Sequence, residues 1–292
     1  MNDPQVRSRV AFQGERGAFS EEAAVKLLGE HIQLVPRSTF ELLFTAIDDG
    51  VADYLLAPIE NSLAGSVHRS YDLLLKSSLH ISAEVVIPIR HFLIGCSGSS
   101  FEEIKTVESH PVALAQCERF FAAHPQVQRV ATEDTAGSVA RVMKQGDRTR
   151  AAIAGLRAAK LYGGVVLCEF LEDHPENYTR FVLLTPEATI SPDANKLSLI
   201  LKLPHRGGAL YDALEPFARR GIDLVKIESR PIKGRPWEYH FYLDLQASTK
   251  DEDVIKALAE LNERAAEVRV LGCYPAGVKM VTAENRANLL EE

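Results

Sequence analysis

Short apolar runs alternate with amphipathic helical stretches through the first 190 residues, and that alternation constrains the fold more than any single motif. "RVAFQG" reads as a strand, and "SEEAAVKLLGE" as a helix with Ala23, Ala24, Leu27 and Leu28 on one face. "YLLAPIE", "IKTVES", "VQRVAT", "RAAIAG" and "VVLCEF" read as strands; "VHRSYDLLLKS", "PVALAQCERFFAAH", "AGSVARVMKQ" and "LRAAKLYG" read as helices. This order predicts an α/β domain with mainly parallel sheet. "HISAEVVIPIRHFLIGC" is a long extended stretch, and near residues 80–95 it is too extended for one small lobe and predicts a crossover between two. The strand "RFVLL", near residue 180, then returns to the first lobe and leaves a cleft between them.

The rhythm changes after "TPEATISPDANK", residues 185–196, a linker rich in Pro, Ala, Asp and Asn. "KLSLILKLP" places Leu197, Leu199, Leu201 and Leu203 on alternate positions, as a half-buried strand does. "GALYDALEPFARRG" is a helix with Leu210, Leu214 and Phe217 on one face, and "IDLVKIESRPI" is a strand. "PWEYHFYLDLQ" is a strand with Trp237, Tyr239, Phe241, Leu243 and Leu245 on one side. "DEDVIKALAELNERAA" is a helix whose acidic first turn suits its dipole, and "EVRVLGCYPA" is the last strand. The order βαββαβ is ferredoxin-like. The expected domains are therefore 1–190, in two lobes, and 195–280, with "NRANLLEE" as a frayed or docking tail.

Composition removes several classes of function. A net charge of −7 provides no general basic surface for nucleic acid. No run approaches about 18 uninterrupted apolar residues, so no membrane span is expected. The N-terminal "MNDPQVRSRVAF" has no apolar core of a secretory signal, which predicts a cytoplasmic protein. Cys96, Cys117, Cys168 and Cys273 form no CxxC pair and read as reduced, buried thiols. The nine histidines make no ligand spacing with a neighbouring Cys or carboxylate, so no metal is expected.

Chemistry gathers where strands run into helices. Ser20, Asn61 with Ser62, Ser109 with His110, and Asp134 with Thr135 stand at four such junctions, and Pro111 suits a first helical position. Each junction alone is an ordinary helix cap. Four in one α/β domain offer converging backbone N–H groups to an anion at the strand ends. Gly65 and Gly137 would let a ligand approach the backbone. In "PENYTRFVLL", Thr179-Arg180-Phe181 sets a hydroxyl, a guanidinium suited to a carboxylate, and an apolar wall side by side. These residues point to a small organic anion without naming a reaction.

The motifs "GERGAFSEEAA", "PIENSLAGSV", "SHPVALAQC", "DTAGSVA" and "NYTRFVLL", followed by "GALYDAL" and "ESRPIKGRPWEYHFYLD", resemble those of prephenate dehydratases with a C-terminal ACT regulatory domain. The resemblance runs from about residue 8 to residue 275. It implies a periplasmic-binding-protein-like pair of lobes with the active site between them, and conversion of prephenate to phenylpyruvate in phenylalanine biosynthesis. It implies no cofactor. Carried over by motif, Thr179 is the catalytic residue, with Arg180 and Phe181 beside it. Glu60, Asn61, Ser62, Ser109, His110, Gln116 and Thr135 line the substrate site. His110 competes with Thr179 as general acid, against the plainer reading of a helix-start residue bonded to backbone. In the second domain, Gly208, Ala209, Leu210 and Tyr211 match one phenylalanine-binding motif, and Glu228, Ser229, Arg230 and Pro231 the other. The implied assembly is a homodimer or homotetramer regulated by L-phenylalanine.

Two departures matter. Ala18 stands where many members carry Thr or Ser, so it receives no role. Asp134 in "DTAG" also resembles arogenate dehydratases; its carboxylate would favour the ammonium that arogenate carries in place of a keto group. Some arogenate activity is expected, with prephenate preferred. A non-catalytic amino-acid-binding module is the rival from another class. The first motif begins so early that a fused helical mutase domain is not expected.

Overall fold

A computed structural model describes residues 7–277; the tail "NRANLLEE" lies outside the described residues. The chain runs β1 (Arg9–Gln13), α1 (Phe19–Leu28), β2 (Gln33–Arg37), α2 (Phe40–Thr45), β3 (Tyr54–Asn61), β4 (Gly65–Ser66), α3 (His68–Lys76), β5 (His80–Pro88) and β6 (Phe92–Gly95). After a 3-10 turn at Phe101–Glu103 come β7 (Thr106–Ser109), α4 (Pro111–Ala115), α5 (Glu118–Ala123), β8 (Gln128–Ala131), α6 (Thr135–Gln145), β9 (Arg150–Ala154), α7 (Leu156–Tyr162), β10 (Val165–Cys168) and β11 (Tyr178–Thr185). The last part is β12 (Lys196–Lys202), α8 (Ala209–Ala218), β13 (Asp223–Pro231), β14 (Tyr239–Gln246), α9 (Glu252–Arg264) and β15 (Glu267–Tyr274). The described residues form two compact units, one of residues 7–70 and 86–181, the other of residues 71–85 and 182–277. Among the described residues no helix is long and apolar enough to cross a membrane.

Two mixed sheets carry the α/β part. One is ordered β2-β1-β3-β11-β5, with β4 folded onto β3; the other is β10-β6-β9-β7-β8. β1 pairs with β2 and β3 in parallel, and β7 with β8 and β9 likewise, whereas β6 is antiparallel to both β9 and β10. The long extended stretch is two strands, with β5 in one sheet and β6 in the other. The second sheet is apolar on both faces, as a covered sheet must be. Leu93, Val107, Ala151 and Ile153 pack with α4 and α5 residues, while Ile94, Ala152 and Ala154 pack with Ala136, Val139 and Ala158 of α6 and α7.

Several local expectations are corrected. β2 and α2 are additional elements; β2 is an edge strand that tolerates Pro36 and has no fully buried residue. "PVALAQCERFFAAH" is two helices, because Asp173 accepts hydrogen bonds from the N–H groups of Glu118 and Arg119 and starts α5 afresh. Ser20 is not a cap: Ala18 is the N-cap of α1, and Ser20 is buried inside the helix. The first motif instead packs against α7. A Cβ on Gly17 would lie 2.8 Å from the Ala158 Cα, and buried Glu21 accepts from Arg16, Gly17 and Arg157. Cys96, Cys117 and Cys273 are buried free thiols, while Cys168 is only partly buried.

The βαββαβ part forms an antiparallel sheet ordered β13-β14-β12-β15. Leu197, Leu199, Leu201, Leu243 and Leu245 face α8 and α9 through Ala213, Phe217, Val254, Ala257 and Leu261. Leu210 is only partly buried, since Ala213, Pro216 and Phe217 make the buried face of α8. Trp237 lies outside β14, at φ 67° and 77% exposed, so it does not continue the inward row. β12 is not half-buried: Lys196, Ser198 and Ile200 on its other side are buried too. Residues 71–85 belong to the same compact unit. Tyr242 Oη donates to the Tyr71 carbonyl, Lys196 Nζ lies 3.0 Å from both Glu84 oxygens, and a Cβ on Gly272 would fall 2.0 Å from the Ile81 carbonyl oxygen.

Candidate active site

The end of β3 lies beside the start of β11. Ser62 N–H donates to the Tyr178 carbonyl, and the Ser62 hydroxyl donates to the Glu176 carbonyl while accepting from the Tyr178 N–H. Ser62 is therefore a backbone tie. Strand alternation then divides the predicted triplet. Thr179 and Phe181 are buried on one side of β11, while Arg180 takes the other and faces Glu60 across 3.9 Å. Asn61 joins the Thr179 side.

Asn61 sets the direction of a chain of hydrogen bonds. Its Oδ1 accepts from the backbone N–H groups of Leu63 and Ala64, at 3.0 and 2.8 Å, which fixes the amide with Nδ2 as donor. That Nδ2 reaches Asn177 Oδ1 at 2.8 Å, Thr179 Oγ1 at 2.9 Å and the Tyr178 carbonyl at 3.0 Å. Asn177 must then present its own Nδ2 to Gln116 Oε1, at 2.9 Å. His91 Nε2 lies 2.9 Å from the same Gln116 oxygen and so carries the proton. Every polarity follows from two backbone donors. Because Thr179 Oγ1 accepts from Asn61, its own hydrogen is directed elsewhere.

The remaining predicted residues stand at helix starts on the second sheet. Ser109, fully buried at the end of β7, donates to the Ile153 carbonyl at 2.6 Å. His110 caps α4, with Nδ1 accepting from the Val112 N–H at 3.2 Å, which puts the proton on Nε2. Burial lowers its pKa and Asp134 opposes the shift. A neutral imidazole is a weak proton donor, so the geometry favours the helix-start reading over the general acid. Asp134 caps α6 through a 2.6 Å bond from the Gly137 N–H, and Thr135 is the first residue of that helix. A Cβ on Gly137 would meet Asp134 Oδ2 at 2.7 Å, so this glycine serves the cap. Asn61 and Ser62 cap no helix, since α3 begins at His68.

In the other unit, Gly208 is the left-handed N-cap of α8, at φ 77°. Ala209 and Leu210 line a cavity of about 150 Å³ with His205, Arg206, Trp237 and Tyr239. Tyr211 is 73% exposed. Glu228, Ser229, Arg230 and Pro231 run along β13, where Pro231 pairs with Tyr239 at the cavity wall. Arg230 grips the Asp72 carboxylate with Nε and Nη2, at 3.0 and 2.9 Å. Among the described residues no group of three or more His, Cys, Asp or Glu could hold a metal ion.

A family model described as prephenate dehydratase matches residues 10–189, and one described as ACT domain matches residues 198–263. The chain belongs to the prephenate dehydratase family. It is 42% identical over 287 residues to an arogenate dehydratase/prephenate dehydratase of Arabidopsis thaliana, covering 94% of this chain and 74% of that protein. Among solved structures, prephenate dehydratase from Arthrobacter aurescens in complex with L-Phe superposes with a TM-score of 0.85 at 30% identity, covering 97% of this chain and 96% of that one. GqqA, described as a novel type of quorum quenching acylase, gives 0.85 at 31% identity over 92% of this chain and 98% of its own.

Within this prephenate dehydratase family member, sequence reading passes over Asn177 and His91. Asn177 lies in the "NYTRF" motif, and a fully buried Asn in a loop is a signal only once burial is known. His91 interrupts the apolar run "VVIPIRHFLIG" and is 1% exposed, with its N–H donating to Glu172 Oε2 at 2.8 Å.

Proposed function

We propose that this protein converts prephenate to phenylpyruvate, and that the Asn61–Thr179 hydrogen bond is the observation that carries the reading. In the reaction the bond to the ring carboxylate breaks and carbon dioxide leaves. Its electron pair enters the ring, the carbon–oxygen bond across the ring breaks, and the departing hydroxide takes a proton to become water. A donor aimed at that oxygen acts where charge develops. Thr179 Oγ1 accepts from the Asn61 amide, so its hydrogen points to another acceptor, and the amide donor polarises the O–H. A Thr hydroxyl serves as an oriented hydrogen-bond donor to the leaving oxygen rather than as a full acid at neutral pH. The N-terminus of α6, with Thr135, offers the positive end of its helix dipole to a substrate carboxylate. Arg180, on the opposite strand face with Glu60, adds positive charge next to Thr179.

The Arabidopsis relative's double name and the carboxylate of Asp134 favour arogenate as a second substrate of the same site. For regulation, the cavity beside Ala209 and Leu210 is the proposed seat of L-phenylalanine, as the L-Phe complex of the Arthrobacter protein suggests. β13 is an edge strand with Val225 and Ile227 exposed at 45% and 44%, which supports pairing with a second copy.

Formation of phenylpyruvate from prephenate and of phenylalanine from arogenate by wild-type and Thr179→Ala protein tests the reading, the prephenate assay being run with and without added phenylalanine. Wild-type turnover on prephenate, lowered roughly 100- to 1,000-fold in the variant as for loss of a transition-state donor, supports it. A wild type inactive on both substrates, or a fully active variant, rejects it.

A further inference from the structure

His91 has no place in the motif-based reading, yet it ends the chain of hydrogen bonds that reaches Thr179. Its backbone is held at both polar groups: the N–H donates to Glu172 Oε2 and the carbonyl accepts from Leu171 N–H at 2.9 Å. Its ring meets the Phe19 ring edge-on, with centroids 5.8 Å apart. The ring is thus a fixed post. Gln116 is a long, flexible side chain whose amide oxygen is gripped by two donors, His91 Nε2–H and Asn177 Nδ2–H. Asn177 is wholly buried, so a swing of Gln116 would strand its Nδ2 without an acceptor. Asn177 would then turn, and the Asn61 hydrogens would be shared anew between Tyr178 and Thr179.

We propose that His91 is a positioning residue for the dehydratase reaction: its Nε2–H holds the Gln116 oxygen under Asn177, so that Asn177 keeps one Asn61 hydrogen and the other is left for Thr179. The inference rests on the activity proposed above. A neutral ring suits the task. His91 Nδ1 is buried and has no hydrogen-bond partner among the described residues, so a second proton would sit where no acceptor stands. Burial lowers the imidazole pKa, against opposing effects of Gln116 and Glu172.

Four readouts decide it. His91→Leu should lower kcat about tenfold or more while KM moves less than about threefold, because the lost interaction acts on Thr179 and not on substrate binding. His91→Gln, whose Nε2–H₂ replaces the imidazole donor, should recover activity to within about threefold of wild type. In a Gln116→Ala background, His91→Leu should add no further loss. Equal damage by Leu and Gln in two variants of wild-type stability, or multiplicative losses with Gln116→Ala, would overturn the proposal. Nitrogen NMR of histidine-labelled wild-type protein should find His91 as the neutral Nε2–H tautomer, and an Nδ1–H tautomer would overturn it without any assay. Absence of wild-type turnover would sink the activity reading instead, and the tautomer would still decide whether His91 donates to Gln116.

Discussion

Two buried polar groups in this chain solve the same problem in opposite ways. The chain from His91 to Thr179 is made of neutral side chains, each oriented by its neighbour. The polar side of the βαββαβ sheet uses charges: Lys196 on Glu84, Arg230 on Asp72, and Asp244 bonded to Ser198, which also meets Tyr274. Neutral amides cost less to bury but can turn over, so their value lies in direction. Ion pairs hold elements together regardless of fine orientation, but each leaves a stranded charge if its partner is lost. The first group should therefore respond to mutation mainly in turnover and the second mainly in stability.

Three changes test that contrast. Lys196→Met should have the largest effect on folding, about 3–5 kcal/mol, because Glu84 is left buried without this cation. The kcat of the folded fraction should stay near wild type. Urea denaturation and kinetics at one temperature would check both, and a stable but inactive variant would erase the contrast. Asn177→Ala should cost roughly 1–3 kcal/mol, leaving partners in a buried network unsatisfied. Its kcat should fall further than that of Lys196→Met; the reverse ranking would break the comparison.

The smallest effect is on pH. Burial lowers the pKa of His91, His110 and His240 from the usual 6.5. Between that value and each folded one, the unfolded chain binds more protons, so stability declines as pH falls below about 6.5. His91→Gln should flatten this decline, and an unchanged slope between pH 7.5 and 5.5 in urea midpoints would show that His91 does not contribute. Glu21 acts in a lower window. Burial alone would raise its pKa, but Arg16, Gly17 and Arg157 hold it below 4.5, so its stabilisation fades only as pH falls below that value.

The legible parts of the fold were those where period and burial agree. Leu197, Leu199 and Leu201 alternate and face one core. The alternating pattern through "RAAIAG" and "AGSVARVMKQ" places β9 and α6 correctly. β2 escaped notice because Pro36 and its partly exposed neighbours mark an edge strand with little apolar signal. The side of β12 that carries Ser198 read as the exposed half of a half-buried strand, because residues 71–85, which share its compact unit, lie more than a hundred positions earlier. At the site, Asn61, Gln116 and Thr179 were readable as motif residues, yet the order connecting them was not. Asn61 and Asn177 are 116 positions apart, and only the fold reveals which amide end meets which.

The packing of residues 71–85 with the C-terminal part has a consequence for inheritance. A gene broken within the codons for 185–196 would separate two peptide segments but not two packing units. The strand opposite Gly272 and the carboxylates that receive Lys196 and Arg230 would remain with the other fragment. Exchange of the regulatory module between lineages would thus require matching changes in α3 and β5, so these two elements and the sheet they cover should evolve as one unit.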